Sequence, residues 1–155
     1  MIPMKFEIRD RGATPRGMAR RINGMKKIAW DETGTLFHVE MRDKRFSKAH
    51  ARAAGYAPRK HSYTMRKLKA KKHALPLVWS GRTRRDVREA NIVPNSKGCS
   101  VRYRGARALN FRNPKSQVRA AVEFTTITQA EATTLAAEFD RVLDRELNND
   151  QTENR

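Results

Sequence analysis

Cysteine is almost absent from this chain. Cys99 is the only one in 155 residues, which excludes an internal disulfide and any zinc site built on paired thiolates. A reducing interior is the expected home. Aromatic residues amount to only 7%, too few for an extended base-stacking sheet, and no RNP-type run of the RNA-recognition kind occurs. Long apolar runs are missing as well. The longest, Ala74-Leu75-Pro76-Leu77-Val78-Trp79, falls far short of the ~18 residues needed to cross a bilayer. Lys5 and Glu7 place charge too early for a secretory signal.

Acidic residues are scarce over most of the length. Up to Ile127 there are 31 Lys and Arg against 9 Asp and Glu, whereas 128–155 holds 3 against 7. The formal net charge is +18. From Arg59 to Arg88 the bases Arg59, Lys60, Arg66, Lys67, Lys69, Lys71, Lys72, Arg82, Arg84, Arg85 and Arg88 meet a single carboxylate, Asp86. So much like charge repels itself and attracts polyanions. Two partners satisfy it: nucleic acid held through salt-sensitive phosphate contacts, or an acidic neighbouring protein in an assembly.

Reaction chemistry is missing too. No GxxxxGK[ST], GxGxxG or GxSxG motif is present. His38, His50, His61 and His73 stand 12, 11 and 12 residues apart, without the close pairing of a helical zinc site, and read as solvated or locally bonded. Cys99 reads as a small buried residue. The carboxylates of the last segment sit at surface spacing rather than as a catalytic pair. The chain is expected to be no enzyme, with no catalytic residues, no metal and no cofactor. A helix-turn-helix over 19–30 is rejected, because the apolar spacing runs straight through Gly24.

What is present has a readable order. Met4, Phe6 and Ile8 alternate with charges, predicting a strand over 4–9 that ends before Gly12. Thr14-Pro15 suits a helix start, with a hydroxyl cap and proline in the first turn. Met18, Ile22, Met25 and Ala29 continue it as a long amphipathic helix that Gly24 and Gly34 weaken, and 35–41 extends it. Ser47 caps a short helix over 48–54 that Gly55 ends. After an extended connector at 56–58, Ser62 caps a basic helix over 63–72. Its apolar stripe is Tyr63, Met65 and Leu68.

The plug 75–79 reads as an edge or an ordered loop seated in the core, since Pro76 argues against a central strand. Tyr56 and Trp79 are expected to anchor that core, and Ser80 to cap a short turn from Arg82. Loop residues 91–98 precede a strand through Val101 and Tyr103. Gly105 then turns the chain into a strand over 108–111, and 118–127 forms a third strand. Thr128 and Glu131 have capping-box spacing. They open a helix with Leu135, Phe139, Val142 or Leu143, and Leu147 on one face, ended at Asn148-Asn149-Asp150. The expectation is one α+β domain over 1–150: a long N-terminal helical region, a small, mostly antiparallel sheet and a C-terminal amphipathic helix packed on it, with 151–155 frayed.

One stretch carries a resemblance. Phe46-Ser47, Gly55-Tyr56-Ala57-Pro58-Arg59, Tyr63 with Lys67, and Leu75-Pro76-Leu77-Val78-Trp79-Ser80-Gly81-Arg82-Thr83-Arg84 together resemble the tail-completion and head–tail joining proteins of tailed bacteriophages, the virion-morphogenesis, minor-tail-like group. The strand-like 123–128, Glu131 and the helix 135–147 are similar to the end of that group. Thr83 and Asp86 depart from its pattern, which leaves open the adaptor, stopper, tail-terminator and tail-completion rings. The resemblance implies a structural virion protein, made in the host cytoplasm and sited at the neck. There it would form a six- or twelve-fold homo-oligomeric ring that joins portal side to tail and surrounds the DNA channel.

Other neck, portal-side and tail proteins would be its partners, with double-stranded DNA touched non-specifically and no membrane. Arg66, Lys67, Lys69, Lys71, Lys72, Arg82, Arg84 and Arg85 are the expected DNA- or partner-contacting residues. Tyr56, Pro76, Trp79, Ser80 and Gly81 are the structural ones. The alternative reading is a sequence-tolerant basic nucleic-acid-binding protein.

Overall fold

The computed structural model describes residues 14–103, 107–110 and 117–153. The expected strand over 4–9 and the turn at Gly105 lie outside them. Helix α1 (Pro15–Leu36) starts where the cap chemistry places it: Thr14 Oγ1 accepts from the Gly17 N–H at 3.1 Å. It runs on through a π turn (Phe37–Met41) and a 3₁₀ turn (Asp43–Phe46). Ser47 then caps α2 (Lys48–Ala53), accepting from the His50 N–H at 3.0 Å, and Gly55 turns the chain at φ +63°. Helix α3 (His61–Lys71) and the short α4 (Arg82–Asp86) follow. Strands β1 (Ala90–Asn95) and β2 (Gly98–Tyr103) form an antiparallel hairpin. After a 3₁₀ turn (Arg107–Asn110) come α5 (Ala120–Thr125) and α6 (Gln129–Glu153).

The architecture is the expected α+β one, a long N-terminal helix, an antiparallel sheet and a packed C-terminal helix. Helix α6 lies antiparallel along α1, with Trp30 against Phe139 (centroids 4.5 Å apart) and Arg21 paired to Asp150. Ala29 and Val142 are fully buried, and Arg145 reaches Glu32 at 2.6 Å. The hairpin packs on α1 at Gly34, where a Cβ would stand 2.9 Å from Ile92 Cγ2 and 3.1 Å from Cys99 Sγ. The glycine therefore admits the sheet rather than merely weakening the helix. A second core gathers Phe46, Val78, Val87, Leu109 and Phe124, with Leu75, Leu77 and Tyr103 against it.

Several expectations are overturned. Residues 120–125 are helical, not part of a strand: Glu123 and Phe124, neighbours in sequence, are both buried while Val122 is exposed. A strand would turn those neighbours to opposite faces, so tertiary contacts override β propensity. Residues 107–110 form a 3₁₀ turn instead of the start of a strand, burying Leu109 alone. The loop expected at 91–98 is largely β1, with Asn95 Oδ1 accepting from the Lys97 N–H at 2.7 Å to shape the turn. Pro94 is tolerated because, among the described residues, β1 pairs only with β2.

Caps and ends also differ. Helix α3 begins at His61, which puts Ser62 inside the first turn, and Lys60 stands at the cap with no side-chain bond. Gly81, at φ +77°, occupies the cap of α4 in place of Ser80. Helix α6 does not end at 148–150 but continues to Glu153, into the segment expected to fray. The capping box itself is present: Glu131 Oε2 accepts from the Thr128 N–H at 3.0 Å and Thr128 Oγ1 from the Glu131 N–H at 3.3 Å.

Candidate polyanion-binding face

Helix α3 is tied by side-chain contacts to the loop that leads on to α4. Its keystone is Lys67, which is 4% exposed rather than solvated, because its ammonium donates to the Leu75 carbonyl across the loop. Burial, reinforced by the nearby Arg59 charge, pulls the Lys67 pKa below its ordinary value. The helix stops at Lys72, in the left-handed region at φ 59°, whose N–H donates to the Leu68 carbonyl at 2.9 Å. Leu77 is left-handed too, at φ 54°. The chain reverses there and drives Val78 into the core.

Trp79, the next residue, lies 41% exposed, correcting the expectation that it anchors the core. It leans on Tyr63 (centroids 5.8 Å apart, rings 34° from parallel), with the Arg66 guanidinium 5.8 Å from both ring centres. Lys71 Nζ sits 6.0 Å over the indole. The expected stripe of α3 is likewise corrected: Met65 and Leu68 are exposed, while Tyr63 and Lys67, four residues apart, form the inner face. Pro76 is half-buried in the ordered loop.

The eight expected contact residues do not share one environment. Arg66, Lys69, Lys71 and Lys72 are exposed along α3 and at its end, and Lys67 is withdrawn. Arg82 is exposed, 3.7 Å from Asp86, and Arg84 reaches Asp43 at 3.2 Å. Burial acts to raise the Asp43 pKa, but hydrogen bonds from Arg42 and Arg84 outweigh it and hold the carboxyl low. The side chains of Lys69, Lys72 and Arg85 have no ion pair or hydrogen bond among the described residues.

Two buried ion pairs tie the segments before α3 to Glu123 of α5 and Glu131 of α6, and composition did not reveal them. Arg45 is fully buried; it pairs with Glu131, donates to the Met41 and Thr126 carbonyls at 3.3 Å and lies 4.8 Å over the Phe37 ring. Glu131 thus caps α6 and neutralises Arg45 at once. Burial would raise its pKa, but the bonds from Arg45 and Thr128 lower it. His50 Nδ1 is 3.5 Å from the same carboxylate, and burial, then the Arg45 charge, keeps its pKa below 6.5 against the pull of Glu131.

Glu123 holds Arg59 and accepts from the Ala57 N–H at 3.1 Å. Tyr56, half-buried as an anchor, donates to the Arg45 carbonyl at 3.2 Å, and burial pushes its pKa up to about 12. A signal was available: a capping-box glutamate and a lone glutamate beside phenylalanine, opposite a segment rich in arginine.

Between Asp43 and Asp86 lie 42 residues with 14 Lys and Arg and no carboxylate. Among the described residues every counter-charge on this stretch is borrowed, from Asp43, Asp86, Glu123 and Glu131. The exposed remainder can attract a polyanion. Among the described residues no three His, Cys, Asp or Glu side chains gather as a metal site, and no helix is long and apolar enough to cross a membrane. Comparison with family models, with characterised proteins and with solved structures finds no match.

Proposed function

We propose that the chain is a structural, non-enzymatic subunit of a tailed-phage neck, a ring that joins head to tail and surrounds the DNA channel. The observation that carries this reading is the uncompensated cationic face built on α3 and α4. The resemblance adds the virion setting, and its motif residues have definite mechanical tasks in the fold. Tyr56 and Arg59 tie the connector to Arg45 and Glu123, Lys67 staples the loop, Val78 seats it and Gly81 makes the turn.

The mechanism is electrostatic and positional. A ring of such faces attracts the DNA backbone without reading sequence, because phosphate contacts release counterions and carry no base information. Ring closure uses different surfaces on each side of a protomer. The acidic balance of 128–155 against the basic balance of the rest supplies opposite charges for such a contact.

The test is the triple variant Lys69→Glu, Lys71→Glu, Arg85→Glu. These side chains are exposed, so the protomer is expected to keep its circular dichroism and thermal midpoint. Tailless heads should accumulate when it replaces the parent, and the parent protein should appear in purified particles in stoichiometric amount. A normal yield of infectious particles from the variant, or absence of the parent from mature particles, overturns the reading.

A further inference from the structure

Trp79 is the feature that folding leaves unexplained. Its neighbours Leu75, Leu77 and Val78 all pack on the core, yet the largest side chain of the loop is held out. The chain is left-handed at Leu77 on one side of it and at Gly81 on the other. Around the indole stand Tyr63, Arg66 and Lys71, with Lys69 and Lys72 on the same helix end and no carboxylate anywhere in the stretch. An exposed aromatic ring framed by unneutralised cations is the combination that holds a nucleic acid strand, the ring taking a base and the cations the phosphates.

The aromatic part selects among polyanions. Bases inside a duplex are stacked on one another and present no free face, whereas an unpaired base does. An acidic peptide would be satisfied by the cations alone and gains nothing from the indole surface. We propose that the Trp79–Tyr63 pair with Arg66 and Lys71 is a binding site for single-stranded nucleic acid, one unpaired base stacking on Trp79. This rests on the reading that the face meets a polyanion and deepens it: unwound or terminal strand, rather than duplex alone, is what the site grips.

The test uses the full chain and labelled oligonucleotides of about 10 nucleotides, within the usual site size for such grooves: oligothymidylate, oligouridylate, and a duplex of the same length. The single strands are expected to bind more tightly than the duplex. Trp79→Ala should weaken single-strand binding about ten-fold or more while changing duplex binding by less than about two-fold, from the worth of one stacked base. Trp79→Phe should retain most of the affinity. Circular dichroism of each variant controls for folding, which an exposed side chain leaves intact.

A preference between the DNA and RNA strands names the sugar and supports the site either way. Unchanged single-strand affinity in Trp79→Ala, with strand and duplex still bound, overturns the stacking site and leaves the cationic face standing. Failure of the parent to bind any of the three overturns both. Tighter capture of polyglutamate than of oligothymidylate also overturns the site, in favour of an acidic protein partner.

Discussion

Lys67 and Lys69 stand two positions apart on α3, and nothing in their local sequence separates them. One is buried with its ammonium on the Leu75 carbonyl, the other is solvated. Such differences come from where a loop lands, so the site residues were legible in kind and not individually. The buried charges show the same. Glu131 was legible as a cap because Thr128 stands three residues before it, but its second partner, Arg45, is 86 residues away. That cluster sets an acid response. The unfolded chain takes up a proton on His50 near pH 6.5 and the folded chain only at a lower pH, so stability falls as pH drops below 6.5. The Glu131 contribution is whole above pH 4.5 and is lost below it, as pH falls through the depressed folded value. His50→Gln should flatten the urea-midpoint curve between pH 6.5 and 4.5 and leave the lower limb. Glu131→Gln should lower stability at pH 7 by about 3 kcal/mol, since Arg45 loses its counter-charge. A His50→Gln curve parallel to the parent's from pH 7 to 5 refutes the assignment.

Among the elements, those with an internal signature were legible. Thr14-Pro15 opened α1, Ser47 and Gly55 bracketed α2, and the apolar period of α6 survived in Trp30–Phe139 and buried Val142. Elements defined by tertiary contact were not: α5 has the β-rich composition of a strand and is helical because Glu123 and Phe124 must both face inward. The two glycines of α1 illustrate the split, since only the structure separates them. Gly24 has nothing within 4 Å of an added Cβ, whereas Gly34 has the hairpin at 2.9 Å. Gly24→Ala should therefore stabilise the chain by about 0.5–1 kcal/mol through helix propensity. Gly34→Ala should destabilise it by about 1–3 kcal/mol by forcing Ile92 and Cys99 aside. Chemical denaturation checks both, and equal signs for the two would refute the packing of β1 and β2 on α1.

For the whole molecule, charge balance was legible from composition, but which cations face outward depended on the ion pairs. Of the arginines and lysines between Asp43 and Asp86, those tied to Asp43, Asp86, Glu123 and Glu131 are partly spent inside the fold. On the proposed reading the others govern polyanion affinity. Binding to oligothymidylate should fall linearly on a log–log plot against salt, and Lys69→Gln should reduce that slope by about 0.7, the single-strand value per neutralised phosphate. Arg45→Gln, at a buried position, should leave the slope of whatever protein remains folded unchanged. The borrowed counter-charges have one more consequence, in the order of synthesis. Helix α1 awaits Phe139 and Arg145, and Arg45 awaits Glu131, so the acid-poor part up to Ile127 leaves the ribosome before the anions of the last helix exist. Until residue 145 emerges, that nascent segment carries a large net positive charge beside ribosomal RNA, and its closure is a late, long-range event of the slow-folding kind.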